Sequence, residues 1–238
     1  MKNILVFKHM PSQNPGVFRD LAADLDVRFH EIDLHAHEPI PDLQKYDALW
    51  VMGGSMNTSD ETLYPWLIEE KEAIRTAVDE LNLPYLAICL GHQLLAEALG
   101  GKVGESKQAE LGIISIMPTE AGLGHPLLNQ LPTEPDWVNV HLKEVTTPPA
   151  NATVLASSTH CKNHIMAVSQ HAYSCQFHPE VCSHTVENWL KINGIPEALK
   201  ELLGDQGYKE FQTSIAHSLP QLNAAAKQLF VNWHALVF

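Results

Sequence analysis

Three stretches of the chain, KNILVF (residues 2–7), DALWVMGG (47–54) and PYLAIC (84–89), are apolar almost from end to end instead of alternating. A strand without a polar face has to be buried on both sides, and a parallel sheet with helices packed above and below does this. The intervening segments supply the helices. In YPWLIEEKEAIRTAVDEL (64–81), Leu67, Ile68, Ile74, Ala77, Val78 and Leu81 fall on roughly one helical face. LGHQLLAEALGG continues directly from PYLAIC as a second helix, and VRFHEIDL (27–34) alternates like a half-buried strand. Together these segments predict an α/β fold with an open, mostly parallel sheet flanked by helices.

The middle of the chain changes character. LGIISIMP, DWVNVHLKEV, ATVLASS, HIMAVSQ and YSCQFH are short runs broken by Pro, Gly and Asn, which predicts added antiparallel strands and hairpins. From residue 185 onward, VENWLKI, PEALKELLG and LPQLNAAAKQLFVNWHAL read as helices, the last packed on its own domain. There is no fixed-period repeat and no low-complexity linker, so one α/β domain is expected.

Composition narrows the function. With 45% hydrophobic and 18% charged residues, the chain builds a packed core instead of remaining disordered. A net charge of −13, from 15 basic and 28 acidic residues, argues against nucleic acid and anionic membranes as partners. The start, MKNILVFKHM, lacks the long apolar region of a secretory signal, and no run approaches a membrane span. The four cysteines, Cys89, Cys161, Cys175 and Cys182, then read as thiols in a reducing cytosol, which makes the expected location cytoplasmic.

Cys89 stands where an apolar strand turns into a helix. The five residues Ala87-Ile88-Cys89-Leu90-Gly91 resemble the G-x-S-x-G elbow, which aims a nucleophile at the carboxyl end of a sheet. Free N–H groups and the partial positive charge of the helix start favour a thiolate there. The competing reading is a small core residue. A base is offered by SCQFHPEV (174–181): in an extended segment His178 and Glu180 share a face, so Glu180 can hold one ring nitrogen and leave the other for Cys89. Here the competing reading is a strand-end histidine beside a solvated carboxylate. A metal cluster of Cys175, His178, Cys182 and His184 is disfavoured, because on a strand Cys175 faces the core with Phe177 while Gln176 pairs with His178. Gly53 and Gly54, at the end of another strand, let backbone N–H groups approach a ligand, and the Leu90 N–H is a second donor for an oxyanion.

Taken in order, GG after a strand, Cys-Leu-Gly-His-Gln at an elbow and Gln-Phe-His-Pro-Glu further on resemble the class I (triad-type) glutamine amidotransferases. The longer stretch VMGGSMNTSDETLYPWL looks most like stand-alone members similar to the amidotransferase domain of GMP synthase. The resemblance runs over roughly residues 45–185. It implies a flavodoxin-like architecture over residues 1–185, with residues 186–238 as a helical extension on the same domain. It also implies a catalytic Cys89–His178–Glu180 triad, an oxyanion hole from the Gly54 and Leu90 amides, and substrate contacts from Gly53 and Gln93. His92 is expected on the helix surface. No metal or cofactor is called for. The implied ligand is glutamine or a γ-glutamyl small molecule. One implied partner is a separate ammonia-accepting synthetase subunit. A free-standing γ-glutamyl hydrolase and a non-catalytic binding module with a vestigial triad are the alternatives. Two departures stand out: Ala87 replaces the elbow's first glycine, and Leu142-Lys143 follows His141 where relatives often carry Gly-Asp.

Overall fold

The structure, a computed structural model, describes residues 1–192 and 194–238. Along the chain come β1 (Lys2–Lys8), β2 (Val27–Asp33), β3 (Ala48–Val51), α1 (Trp66–Arg75), β4 (Tyr85–Ile88), α2 (Leu90–Ala98), β5 (Lys102–Ser115), β6 (Met117–Pro118), β7 (Asp136–Thr147), β8 (Ala152–Ser157), β9 (Ile165–Val168), β10 (Ala172–Cys175), α3 (Ser183–Trp189) and α4 (Ile195–Val237). Eight strands form one sheet in the order β2-β1-β3-β4-β10-β9-β8-β6. The first five pair in parallel, and the remaining three continue antiparallel from β10. The parallel part has the doubly wound order, which places ligands at the carboxyl ends of the strands. β5 and β7 form a separate antiparallel ribbon.

The apolar runs are buried on both faces, as their composition requires. Leu5, Phe7, Leu49, Val51, Tyr85 and Ala87 point to one side, where they meet Leu67, Ile74, Leu90, Leu94 and Leu95 of α1 and α2. Their neighbours Ile4, Val6, Ala48, Trp50, Leu86 and Ile88 point to the other. The C-terminal helix covers that second face: Ala226, Leu229, Phe230 and Trp233 pack on it beside Val17 and Phe18. Trp50 meets Phe230 and Trp233 edge-on, and Trp233 Nε1 donates to the Tyr85 carbonyl at 3.1 Å. Without α4 the aromatic cover that Phe230 and Trp233 give Trp50 would be lost.

Three elements differ from what their local pattern predicts. The helix expected over 64–81 is regular over Trp66–Arg75 and widens into a π-type turn over Thr76–Glu80. Ile68, expected on its buried face, is 56% exposed. LGIISIMP is mostly the end of a strand of 14 residues, β5, whose polar first half gave no alternation to read. In α4, Gly204 is non-helical (φ 71°, ψ 169°), and the helix beyond it runs straight through Pro220, where the sequence suggests a start. Phe211, Ile215 and Leu222 on either side of that proline share one buried cluster with Trp189, and this packing outweighs the lost backbone bond. Among the described residues no helix is long and apolar enough to cross a membrane.

If α4 is an integral wall of the core, Trp233→Ala should destabilise the fold by about 3–5 kcal/mol, read as a lowered midpoint in urea unfolding. A change below about 1 kcal/mol would mean that the helix is only loosely attached.

Candidate functional site

β4 ends at Ile88 and α2 begins at Leu90, so Cys89 alone makes the turn. It does so with φ 51° and ψ −104°, a conformation L-residues avoid. Strain of this kind costs about 1–3 kcal/mol and persists only where surroundings impose it. The bonds that impose it are visible. Cys89 N–H donates to the Cys175 carbonyl at 2.8 Å, Gly91 N–H to Met52 at 3.2 Å and Gln93 N–H back to Cys89 at 3.1 Å. Gly91 is required, because a Cβ there would stand 2.3 Å from the Val51 carbonyl oxygen. Ala87, in place of the elbow's usual first glycine, is simply a buried β4 residue in the apolar core.

His178 lies just beyond β10, tied by its N–H to the Val138 carbonyl at 2.8 Å. Its Nδ1 bonds Glu180 Oε1 at 2.8 Å, and Val17 N–H holds the Glu180 carbonyl at 3.0 Å. The imidazole and the Cys89 sulfur line the same cavity. Burial opposes charge on this ring, but Glu180 and the Cys89 sulfur outweigh it and push the His178 pKa up to about 10. All three side chains are buried, and Trp189 meets His178 edge-on at 4.8 Å. The structure thus brings together the three residues that the sequence paired across 91 positions, Cys89 to Glu180.

Gly53 and Gly54 sit against them. A Cβ on Gly53 would lie 3.0 Å from His178 Cε1, and one on Gly54 would lie 2.7 Å from Leu90 Cδ2. Gln93 is one turn along α2 on the same side as Cys89, but its amide nitrogen is committed to the protein: Nε2 donates to the Lys143 carbonyl at 2.9 Å and to Gln176 Oε1 at 3.1 Å. Gln176 then donates from Nε2 to Cys89 Sγ at 3.6 Å. Strand alternation places Gln176 beside His178, which was the available signal for this contact. His92 is not on the helix surface. It is 0% exposed, with Nδ1 at 2.9 Å from Ser174 Oγ, because α2 is sunk between β4 and the β5–β7 ribbon. Burial, with His164 nearby, pushes the His92 pKa down to about 3.

Two buried groups had no signal in the sequence. His9, after β1, has Nδ1 at 2.8 Å from the Gly53 carbonyl oxygen and Nε2 at 2.8 Å from Glu70 Oε1, while its ring stacks on Trp66. Behind α2, Glu110 Oε2 accepts from His141 Nε2 at 3.1 Å and from His164 Nε2 at 2.7 Å, and Ser158 Oγ donates to the other oxygen. Although Glu110 is buried, these bonds hold it well below the usual carboxylate range. His141, Cys161 and His164 would be the residues to hold a metal, with ligand atoms within 4.8 Å of one another. Their hydrogen bonds to Glu110 already satisfy both imidazoles on that side. Cys175, by contrast, faces the core with Phe177, away from His178, as strand geometry requires.

Cys89 lies where two cavities meet. One, of ≈ 120 Å³, touches His178, and the other, of ≈ 290 Å³, touches Leu90, Gln93, His141 and Lys143. A larger cavity of ≈ 460 Å³ at the far end of the sheet has His125 as its one titratable lining group.

A model of the glutamine amidotransferase class-I family matches residues 17–194. The chain is 33% identical over 166 residues to one subunit of a glutamine-hydrolysing GMP synthase from Saccharolobus solfataricus, covering 69% of this chain and 80% of that one. It is 31% identical over 212 residues to the glutamine amidotransferase-like protein YfeJ of Salmonella typhimurium, covering 87% and 85%. A glutamine amidotransferase structure from Methylobacillus flagellatus superposes with a TM-score of 0.82 at 27% identity, over 98% of this chain and 94% of that one. A second, from Thermotoga maritima, has the same fold, with a TM-score of 0.83 at 23% identity over 98% of both chains.

The buried, neutral His92 carries a pH signature. Its folded pKa of about 3 lies below the 6.5 of the free side chain, so the unfolded state binds the extra proton. The associated stability is complete above pH 6.5 and is lost as pH falls from 6.5 towards 3. By pH 5 the wild type should have lost about 2 kcal/mol relative to His92→Gln, measured by urea unfolding at both pH values. A difference independent of pH would contradict the buried, uncharged assignment.

Proposed function

We propose that this chain, which belongs to the class I glutamine amidotransferases, hydrolyses the side-chain amide of glutamine or of a γ-glutamyl compound with Cys89 as nucleophile. The observation that carries this reading is a buried cavity shared by Cys89, at a strained elbow, and an imidazole whose Nδ1 is held by Glu180.

In the first half-reaction the Cys89 thiolate attacks the amide carbonyl carbon. The negative charge that gathers on oxygen is received by the Gly54 and Leu90 N–H groups, and each such donor is typically worth about 10²–10³ in rate. His178, charged because Glu180 and Cys89 outweigh its burial, gives its proton to the departing nitrogen as the C–N bond breaks. Ammonia or an amine leaves, and a γ-glutamyl thioester remains. In the second half, neutral His178 takes a proton from water. Hydroxide adds to the thioester carbonyl, the C–S bond breaks, and glutamate departs, restoring thiolate and imidazolium. Glu180 keeps the ring oriented throughout. Gln93 shapes the substrate side of the cavity through its carbonyl oxygen, because its amide nitrogen is occupied, and Gly53 lets the backbone pass close to His178. None of these steps calls on a cofactor.

Two fates of the nitrogen fit. One relative is a subunit of a GMP synthase, which favours an ammonia-accepting synthetase partner in the cytoplasm. The helices over Cys89 belong to this chain itself, which favours a hydrolase that works alone.

With purified chain and glutamine or γ-glutamyl peptides, glutamate release should vanish in Cys89→Ala and fall at least about 10³-fold in His178→Ala. Release that survives Cys89→Ala would remove the nucleophile assignment.

A further inference from the structure

The two cavities that meet at Cys89 differ in chemistry. The lobe that touches His178 is roofed by Trp189, Leu190, Ile192, Ile195, Leu199 and Phe211, and beyond Cys89 and His178 its polar residues are Gln13 and Ser55, beside Gly54 and the indole of Trp189. The other lobe does not reach His178 and takes in Asn57, Leu90, Gln93, His141 and Lys143. Proton transfer assigns their roles. His178 has to hand its proton to the departing nitrogen, so the amine half of the substrate lies on the imidazole side. The acyl half stays beside the Leu90 amide, in the lobe with the polar groups. An apolar amine-side lobe of ≈ 120 Å³ is larger than ammonia needs, and most of its wall is hydrocarbon. Its roof is built by this chain's own α3 and α4 and the link between them.

On the reading of Cys89 as the nucleophile, we propose that this chain prefers γ-glutamyl amides of compact apolar amines, with free glutamine the poorer substrate. Each fully buried methylene is worth about fourfold in binding, so a branched four-carbon amine gains appreciably even when partly buried. The test compares γ-glutamylisobutylamide, glutamine and γ-glutamylglycine with the full chain, following glutamate release beside Cys89→Ala. The expected kcat/KM for the isobutylamide is at least about 10-fold above both others. Phe211→Ala and Ile192→Ala, which enlarge the lobe, should raise the preference for γ-glutamylanilide over the isobutylamide. Cys89-dependent turnover of glutamine or γ-glutamylglycine as fast as the isobutylamide overturns the subsite and leaves the hydrolase reading standing. An unchanged anilide preference in both enlarged variants also overturns it. No Cys89-dependent release from any of them overturns both.

A different pair of residues carries a second inference. Both ring nitrogens of His9 face acceptors, the Gly53 carbonyl and the Glu70 carboxylate, each at 2.8 Å, and both side chains are fully buried. Burial works against charge on His9, but Glu70 outweighs it and raises the pKa above 6.5. The Gly53 carbonyl and the Gly54 N–H belong to one planar trans peptide, so holding the oxygen from one side turns the N–H to the opposite edge. Gly54 lines both lobes beside Cys89. We infer that His9 and Glu70 are positioning residues that aim the Gly54 amide at the oxyanion, an inference resting on Gly54 as a donor. His9→Gln and Glu70→Gln should lower kcat by about 10–100-fold with KM little changed. Alkylation of Cys89 by iodoacetamide, which forms no oxyanion, should proceed at the wild-type rate. An unchanged kcat, or alkylation falling in step with kcat, overturns the inference.

Discussion

Everything at the candidate site depends on one residue forced into a backbone conformation it would not choose. Cys89, at φ 51°, turns β4 into α2 without an intervening loop. That sharp turn keeps the sulfur at the carboxyl edge of the sheet and sets the start of α2 behind it. The strain is sustained by neighbours on both sides, Cys175 in β10 and Met52 after β3, and by the missing side chain of Gly91. Parallel pairing of β3, β4 and β10 brings those neighbours into reach. The sheet order is therefore part of the site: the loops after β1, β3, β4 and β10 open at one edge and supply His9, Gly53–Gly54, Cys89 and His178.

The C-terminal segment does two things at once. Its far end, around Phe230 and Trp233, closes the second face of the sheet. Its near end, from Trp189 to Phe211, closes the cavity over Cys89. Within that near end lies Gly204, where the helix breaks. A change to the far end would consequently reach the site through the fold's stability, and a change to the near end through the shape of the cavity.

How much of this could be read from residue order follows from range. The apolar runs announced a doubly covered parallel sheet, because burial on both faces leaves no other pattern. Cys89, Gly91, His178 and Glu180 were legible because a strand-to-helix elbow and a two-residue strand spacing are local geometry. Gln176 was within reach by the same alternation. His9–Glu70 and the Glu110–His141–His164 cluster were not, since each joins elements far apart in sequence and no local periodicity marks the pairing. His92 was misplaced for a related reason: α2 is buried nearly all round, and a helix amphipathic pattern has no surface face to show there. Gln93 shows a third case: it lines the cavity beside Cys89, but its amide nitrogen serves the protein's own carbonyls.

Hydrolysis through Cys89 requires a covalent γ-glutamyl thioester on its sulfur. Rapid acid quench of the chain during turnover of a γ-glutamyl amide, followed by peptide mass spectrometry, tests it most directly. One added glutamyl group is expected on the peptide that contains Cys89, and none on that peptide in Cys89→Ala. Turnover with no adduct on that peptide at any quench time, undiminished in Cys89→Ala, would contradict it.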